Sequence, residues 1–358
     1  MRDMPDISRY HRQALLREIG EAGQRRLLSS HALVIGCGAL GTVSAEILVR
    51  AGVGRVTVVD RDVVEATNLQ RQFLFDESDA RAGLPKAEAA RRRLSSINSE
   101  VKVRGVVRDF TSGSAEGLAT EGGGVGVIVD GTDNFEARYL MNDVSVKTGT
   151  PWVYGAAVGM TGMSMTVVPG VTGCLRCLFE EPPESGSAAA SETCETVGVF
   201  GAVTALIGSV QAGEALKILA VGRDAAAPGL LSVDAWTGVV RRIGTGGVRR
   251  SDCPCCGGRE FPFLSGARGS QSVVLCGRGS VQVTPGGGGR IELAALAERL
   301  RPHGSFEVTR FLVRGVLAQE RGDAGAVTLT VFADGRAIVG GVTRVEAARA
   351  LYARYVGS

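Results

Sequence analysis

The chain has 358 residues, 44% of them hydrophobic and only 5% aromatic, with a formal net charge of +3 at pH 7. That length suits one large α/β domain plus a smaller one, and the charge is too mild to indicate nucleic acid or an anionic membrane as a partner. The polar stretch Met1 to Gln13 lacks the apolar run of a secretory signal, and two of the cysteine pairs have C-x-x-C spacing, which favours metal over disulfides and a cytoplasmic setting.

In chain order, Arg9 to Gln13 opens a helix expected to carry Leu15, Leu16 and Ile19 on one face, and residues 24–28 add a second helical turn; residues 1–30 form an N-terminal helical segment. Leu33 to Ile35 is a short buried strand. It runs into Gly36-Cys37-Gly38-Ala39-Leu40-Gly41, the spacing G-x-G-x-x-G, and then into a helix over 40–50. Gly36 permits the tight turn, Gly38 lets a phosphate approach the backbone, and Gly41 lets the helix lie close to the strand, its free N–H groups facing the anion. The next strand, 55–60, ends in Asp60, about twenty residues on, where a ribose-binding carboxylate belongs. A polar loop, 61–83, leads to a helix from Pro85 to Ile97, a valine-rich strand over 101–107 and a strand over 125–129 that ends in Asp130-Gly131-Thr132-Asp133-Asn134. A helix over 135–148 and strands over 151–158 and 163–168 follow. Strands alternating with helices predict a Rossmann-like, doubly wound, mainly parallel α/β sheet, and the later strands predict an antiparallel extension. Residues 178–198, with Pro182-Pro183 and a run of small residues, read as an exposed loop. The apolar stretch after it, to Val221, contains Gln211, Glu214 and Lys217 and reads as a buried helix, not a membrane span. Residues 230–243 form a hairpin, and the domain closes near 266. Residues 268–358 are a separate small α+β module: a helix with Leu293, Leu296 and Leu300 on its face, a strand pair turning at Asp334-Gly335, and a last helix presenting Val345, Ala348, Tyr352 and Tyr355.

A glycine turn of this kind serves NAD, FAD and ATP alike. The loop after Asp60 narrows the choice, because it carries Asn68-Leu69-Gln70-Arg71-Gln72 and is followed by Pro85-Lys86. Hydride transfer leaves the phosphates intact, whereas breaking the α–β bond of ATP releases pyrophosphate, whose charge positioned cations stabilise as it develops. Asp133, at the C-terminal end of a strand, is a carboxylate able to hold Mg²⁺. The bland alternatives make Arg71 and Lys86 solvated charges and Asp133 a helix cap. An NAD-dependent oxidoreductase would need a relay His or Tyr, for which there is no obvious candidate; a non-enzymatic adaptor on the same fold would need neither Arg71, Lys86 nor Asp133.

Taken in order, Arg9-Tyr10-His11-Arg12-Gln13, the glycine turn, Asp60, Asn68 to Gln72, Pro85-Lys86 and Asp130 to Asn134 resemble the ThiF/MoeB family of ubiquitin-activating-enzyme-like adenylyltransferases, over roughly residues 7–260. The resemblance implies that ATP and Mg²⁺ are used to adenylate the C-terminal glycine of a ubiquitin-fold sulfur-carrier protein ending in Gly-Gly. A separate sulfur donor would then make the thiocarboxylate, and the enzyme would work as a homodimer. By position, Gly36, Gly38 and Gly41 would lie against the nucleotide and Asp60 would hold the ribose. Asn68, Arg71 and Lys86 would meet the phosphates, Asp133 would hold Mg²⁺, and Arg12 would reach the ATP of the other subunit. A peptide or a tRNA base is the alternative substrate within the family, and the weak charge speaks against tRNA.

Cys174-Leu175-Arg176-Cys177 and Cys253-Pro254-Cys255-Cys256 make two knuckles whose four thiolates suit a tetrahedral structural Zn²⁺. Cys255 competes with Cys256 for the fourth place, and the spacing favours Cys256. Cys37 and Cys276 read as space-filling residues. Cys194, late in the exposed loop, stands where the family holds the cysteine that can capture the activated carrier. A thiolate attacks an acyl-adenylate well, although Glu192 and Glu195 beside it would oppose its ionisation. Residues 268–358 depart from relatives that end in a rhodanese domain and read as a packing or docking module.

Overall fold

A computed structural model describes residues 6–183, 196–244, 249–268, 272–275, 279–284 and 291–357. The chain divides into two compact units, Met1–Arg268 and Gly269–Ser358.

The first unit is built on an eight-stranded sheet. Its strands are β1 (His31–Ile35), β2 (Arg55–Asp60), β3 (Lys102–Val107), β4 (Val127–Asp130), β5 (Trp152–Val158), β6 (Thr161–Val167), β7 (Leu230–Asp234) and β8 (Val239–Ile243). They lie in the order β3-β2-β1-β4-β5-β6-β7-β8. The pairings from β3 to β5 are parallel and those from β5 to β8 antiparallel, so the parallel sheet with an antiparallel extension is present. Helices of this unit are α1 (His11–Ala14), α2 (Gly20–Ser29), α3 (Ala39–Arg50), α4 (Glu77–Arg81), α5 (Lys86–Ile97), α6 (Ser112–Thr120), α7 (Phe135–Thr148), α8 (Leu175–Leu178) and α9 (Gly201–Ala220).

Every residue of β1 and β4 is buried, because helices cover both faces of the parallel sheet and its strands become continuous apolar runs. Alternation along β1 sorts the two cores. Leu33 and Ile35 join Ile128, Ala115 of α6 and Tyr139 and Leu140 of α7. Ala32 and Val34 join Val56, Val58, Ala45 and Leu48 of α3, Leu94 of α5 and Leu219 of α9. By length and composition α9 could cross a membrane, yet it is a core helix. Gln211 is fully buried and its Nε2 donates to the carbonyls of Asp130 (2.7 Å) and Val153 (3.1 Å), while Glu214 accepts from the Ala227 N–H at 2.8 Å.

The N-terminus departs from the expectation. Its first helix ends at Ala14, and Leu15 and Leu16 stand 69% and 52% exposed instead of facing the core. Ile19 alone of the three packs inward. The helix over 112–120 was not legible: its glycines and serines dilute the apolar period, and only Ala115, Leu118 and Ala119 are buried.

The second unit carries β9 (Ser272–Leu275), β10 (Ser280–Val283), β11 (Gly304–Val308), β12 (Leu312–Gly322), β13 (Gly325–Phe332) and β14 (Ala337–Gly340), with α10 (Leu293–Leu300) and α11 (Val345–Tyr355). Its six strands lie in the order β11-β12-β13-β14-β10-β9, with every pairing antiparallel. Leu293, Leu296 and Leu300 of α10 and Ala348, Tyr352 and Tyr355 of α11 share one core with Val281, Leu329 and Val339. The β13–β14 turn falls at Asp334-Gly335, where Gly335 has φ +87° and its carbonyl accepts the Tyr352 hydroxyl at 2.8 Å.

Candidate active site and cysteine cluster

Three neighbouring parallel strands end together. β1 stands between β2 and β4, with Ile35 opposite both Val59 and Asp130. Backbone bonds carry that register past the strands: the Gly36 N–H donates to the Val59 carbonyl at 2.8 Å, and the Gly131 N–H donates to the Ile35 carbonyl at 2.7 Å. The glycine turn, Asp60 and the 130–134 turn therefore sit side by side at the carboxyl edge, at the point where the strand order reverses.

The three glycines divide by what requires them. Gly36 has φ +83°, and a side chain there would meet the Gly131 backbone at 2.7 Å; one at Gly41 would strike the Gly36 carbonyl. Gly38, the N-cap of α3, differs. The nearest atoms to a side chain built there are the Gly131 carbonyl oxygen at 3.5 Å and Gln72 Nε2 at 3.9 Å, ordinary contacts. The protein leaves room at Gly38, and that room opens onto the N-terminus of a twelve-residue helix, whose N–H groups and dipole favour an anion.

Asp60 is buried at the end of β2. One carboxylate oxygen accepts the Cys37 N–H at 2.6 Å and the other the Asp62 N–H at 2.7 Å, so the acid ties the glycine turn to its own loop. Burial raises its pKa, against the pull of Lys86. Lys86 opens α5 with its side chain buried; its N–H donates to the Asp62 carbonyl at 2.9 Å and its Nζ lies 3.4 Å from the Asp62 carboxylate. Arg61 faces the same carboxylate at 3.8 Å and is clamped by Asp109 at 3.1 Å. Asn68 is buried, and its Oδ1 accepts the Glu65 N–H at 3.1 Å, closing a capping box. Arg71 donates to the Thr67 carbonyl at 3.0 Å.

Across the glycine turn, Asp133 is exposed, and among the described residues its carboxylate accepts no hydrogen bond. The cap of α7 is its neighbour Asn134, whose Oδ1 accepts the Ala137 N–H at 2.8 Å. Asp133 is thus spared the capping role. Below it Asp130 is fully buried, accepting the Thr132 N–H (2.9 Å) and hydroxyl (2.7 Å) and Arg138 Nε at 3.1 Å. Arg138 also donates to the carbonyls of Thr132 and Gly155 and lies 5.5 and 5.3 Å from the rings of Phe135 and Tyr154. Burial pushes the Asp130 carboxyl up while Arg138 pulls it down. This buried pair fixes the turn from which Asp133 projects. An exposed carboxylate beside an anion-binding turn, near the Arg61 and Arg138 charges, fits Mg²⁺, which keeps its waters and takes its other oxygens from phosphates.

The second constellation is sulfur. Cys174 precedes the short α8 that carries Cys177, and Cys253 and Cys256 approach from the segment after β8. The four Sγ atoms lie within 4.8 Å of one another, with separations of 3.9 Å (174–177), 3.7 Å (174–253) and 3.4 Å (177–256). A tetrahedron with Zn–S bonds of about 2.3 Å has edges of about 3.8 Å, so the set fits Zn²⁺. Burial pushes the Cys177 and Cys256 thiols up, a cost that a dication reverses by holding them as thiolates. Cys255 is not one of these four: it lies beside Cys174, whose thiol it pushes up, but its Sγ accepts from Asn142 Nδ2 at 3.2 Å and lies 3.6 Å from the Asp143 carboxylate. Asn142 Oδ1 also accepts the Leu175 N–H at 2.8 Å, so one side chain of α7 braces both knuckles.

Comparison with known proteins now places the chain. The model of the ThiF family matches residues 10–255. The chain belongs to the ThiF family. It is 42% identical over 349 residues to a protein of Bacillus subtilis named sulfur carrier protein ThiS adenylyltransferase, covering 98% of this chain and 99% of that relative. It is 40% identical over 259 residues to the sulfur carrier protein adenylyltransferase of Thermus thermophilus, covering 70% of this chain and 91% of the relative. Among solved structures, E. coli MccB shares the fold at a TM-score of 0.60 and 22% identity, over 71% of this chain and 74% of that one.

In this ThiF-family chain, Gly36, Gly38 and Gly41 come from the glycine turn and the start of α3, Asp60 from the end of β2, Asn68 and Arg71 from the loop after it, Lys86 from the start of α5 and Asp133 from the turn after β4. Arg12 is exposed in α1, and Arg9 reaches Asn98 at 2.5 Å. Cys194 and Cys276 lie outside the described residues, and Cys37 is buried in the glycine turn. Sequence reasoning passed over Arg138. Its signal was an arginine four residues after the Asn134 cap, eight after Asp130, a spacing that returns a first-turn side chain onto the preceding strand end.

Proposed function

We propose that the protein adenylates the C-terminal glycine of a ubiquitin-fold sulfur-carrier protein ending in Gly-Gly. The carrier's carboxylate oxygen attacks the α-phosphorus of ATP, the α–β bridging bond breaks, and pyrophosphate leaves with the electron pair. The observation that carries this is the near full-length likeness to the Bacillus subtilis relative, over 98% of one chain and 99% of the other. The site supplies the chemistry. The α3 N-terminus and Gly38 receive the phosphate chain. Asp60 is the acid for the ribose, and Asn68 and Arg71 meet the phosphates. Lys86 stabilises charge on the departing pyrophosphate. Asp133 would hold Mg²⁺, which neutralises phosphate charge when bound. Cys174, Cys177, Cys253 and Cys256 would hold Zn²⁺ as a structural staple.

The enzyme works as a cytoplasmic homodimer in this proposal, with Arg12 directed to the ATP of the second subunit. The Cys194 thiolate attacks the carrier's acyl carbon and displaces AMP to give a thioester, and a separate donor of sulfide-level sulfur then attacks that thioester, releasing the cysteine thiolate and leaving the thiocarboxylate. Nucleotide choice is the first test. Calorimetric titration should show Mg-ATP binding and no NAD binding; tight NAD binding without Mg-ATP binding would sink the proposal.

A further inference from the structure

Gln72 closes the loop that holds Asn68 and Arg71, and no role has fallen to it so far. Its backbone is fully committed: the N–H donates to the Asn68 carbonyl at 3.0 Å, and the carbonyl accepts the Phe75 N–H at 3.2 Å. Its side chain is not. Gln72 is 4% exposed, and its Oε1 is buried with no hydrogen-bond partner. Buried carboxamides are almost always satisfied, so an unspent one at a strand-end cleft calls for a partner from outside the chain. Its direction is set by a second, separate observation. Gln72 Nε2 is one of the two protein atoms nearest to the empty space over Gly38, 3.9 Å from where a side chain there would begin. That space opens at the N-terminus of α3 and is not needed by the packing of the turn, unlike the space beside Gly36 and Gly41.

The geometry points to Gln72 as a further nucleotide-binding residue: its Nε2 donates to a phosphate oxygen lying over Gly38. This rests on ATP being the ligand of the glycine turn. The carboxamide adds a neutral, directional donor next to the helix N–H groups. Arg71 and Lys86 would attract any anion, whereas a fixed amide selects the oxygen that sits at its own distance.

Two variants separate binding from folding. Gln72→Leu keeps the volume and removes the unsatisfied polar group, so the ligand-free protein should melt at the same temperature or higher. Its Kd for Mg-ATP, measured by calorimetry, should rise about 10- to 100-fold, the loss of one hydrogen bond to a charged acceptor. Adenosine, which lacks phosphates, should bind both proteins alike. Gln72→Glu keeps the shape and sets a negative charge at the phosphates, so it should weaken Mg-ATP binding further than Gln72→Leu does. The inference is overturned if wild type binds Mg-ATP and both variants bind it equally well, or if Gln72→Leu melts lower and leaves the Kd unchanged. Wild-type protein that bound no Mg-ATP would overturn the nucleotide assignment and this inference with it.

Discussion

The three turn glycines look equivalent in the sequence and are not equivalent in space. Gly41→Ala drives a methyl group into the Gly36 carbonyl, while Gly38→Ala meets nothing closer than 3.5 Å. Gly41→Ala should therefore cost stability, about 1–3 kcal/mol as for other overpacked sites. Gly38→Ala should melt like wild type and lose Mg-ATP affinity, because only the ligand needs that space. Paired melting curves and calorimetric titrations check both. His31 gives a prediction in pH. It is 7% exposed in β1 with its Nε2 2.9 Å from the Thr57 hydroxyl oxygen. Burial pulls its pKa from 6.5 down to about 4, and Arg55 adds repulsion. Between those values the unfolded chain takes up a proton that the native chain refuses. Stability is therefore full above pH 6.5 and falls as the pH drops towards 4, by about 2 kcal/mol from this residue alone. Urea unfolding across that window should show the fall, and His31→Leu should flatten it. An equally steep profile in the variant would remove His31 as the cause.

Elements that sit on the parallel sheet were legible because their patterns were strong and local. The expected helix over 135–148 is α7 to the residue, and strand 55–60 is β2 to the residue. Helix 198–221 is shorter at both ends, Gly201–Ala220. What failed was short or diluted: Leu15 and Leu16 had the spacing of a buried face but no helix long enough to turn them inward, β11 is only five residues long, and β12 lacks a sustained alternation. At the site the motif order located the turn glycines, Asp60 and Asp133 at neighbouring strand ends. Arg138 and Gln72 were not legible there, since Arg138 acts through a buried pair with Asp130 and Gln72 through its position beside Gly38, which only the folded strand ends bring together. The knuckles are an element-scale clip, and their test is metal removal. Freshly purified protein should carry one zinc ion per chain, and a chelator should lower stability by several kcal/mol. Cys256→Ser should lose the ion, whereas Cys255→Ala should keep it, because the Cys255 Sγ is engaged with Asn142 and Asp143. Zinc retained by Cys256→Ser and lost by Cys255→Ala would exchange the two assignments.

At the scale of the molecule, every residue placed at the nucleotide and sulfur sites belongs to the first unit, Met1–Arg268, and the second unit has a core of its own. The proposed function divides the chemistry into two stages, Asp133, Arg71 and Lys86 forming the adenylate and Cys194 acting on it afterwards. Cys194→Ala should leave adenylation nearly intact. If the thiol captures the activated carrier, thiocarboxylate formation should disappear in that variant; its persistence would assign the attack to a soluble sulfur donor. The central claim is that the strand-end cleft adenylates a carrier, and carrier-dependent ATP–pyrophosphate exchange measures that step alone. Exchange should require the Gly-Gly carrier, continue in Cys194→Ala and vanish in folded Asp133→Ala. Normal exchange in Asp133→Ala, or none in wild-type protein supplied with Mg-ATP and its carrier, would contradict it.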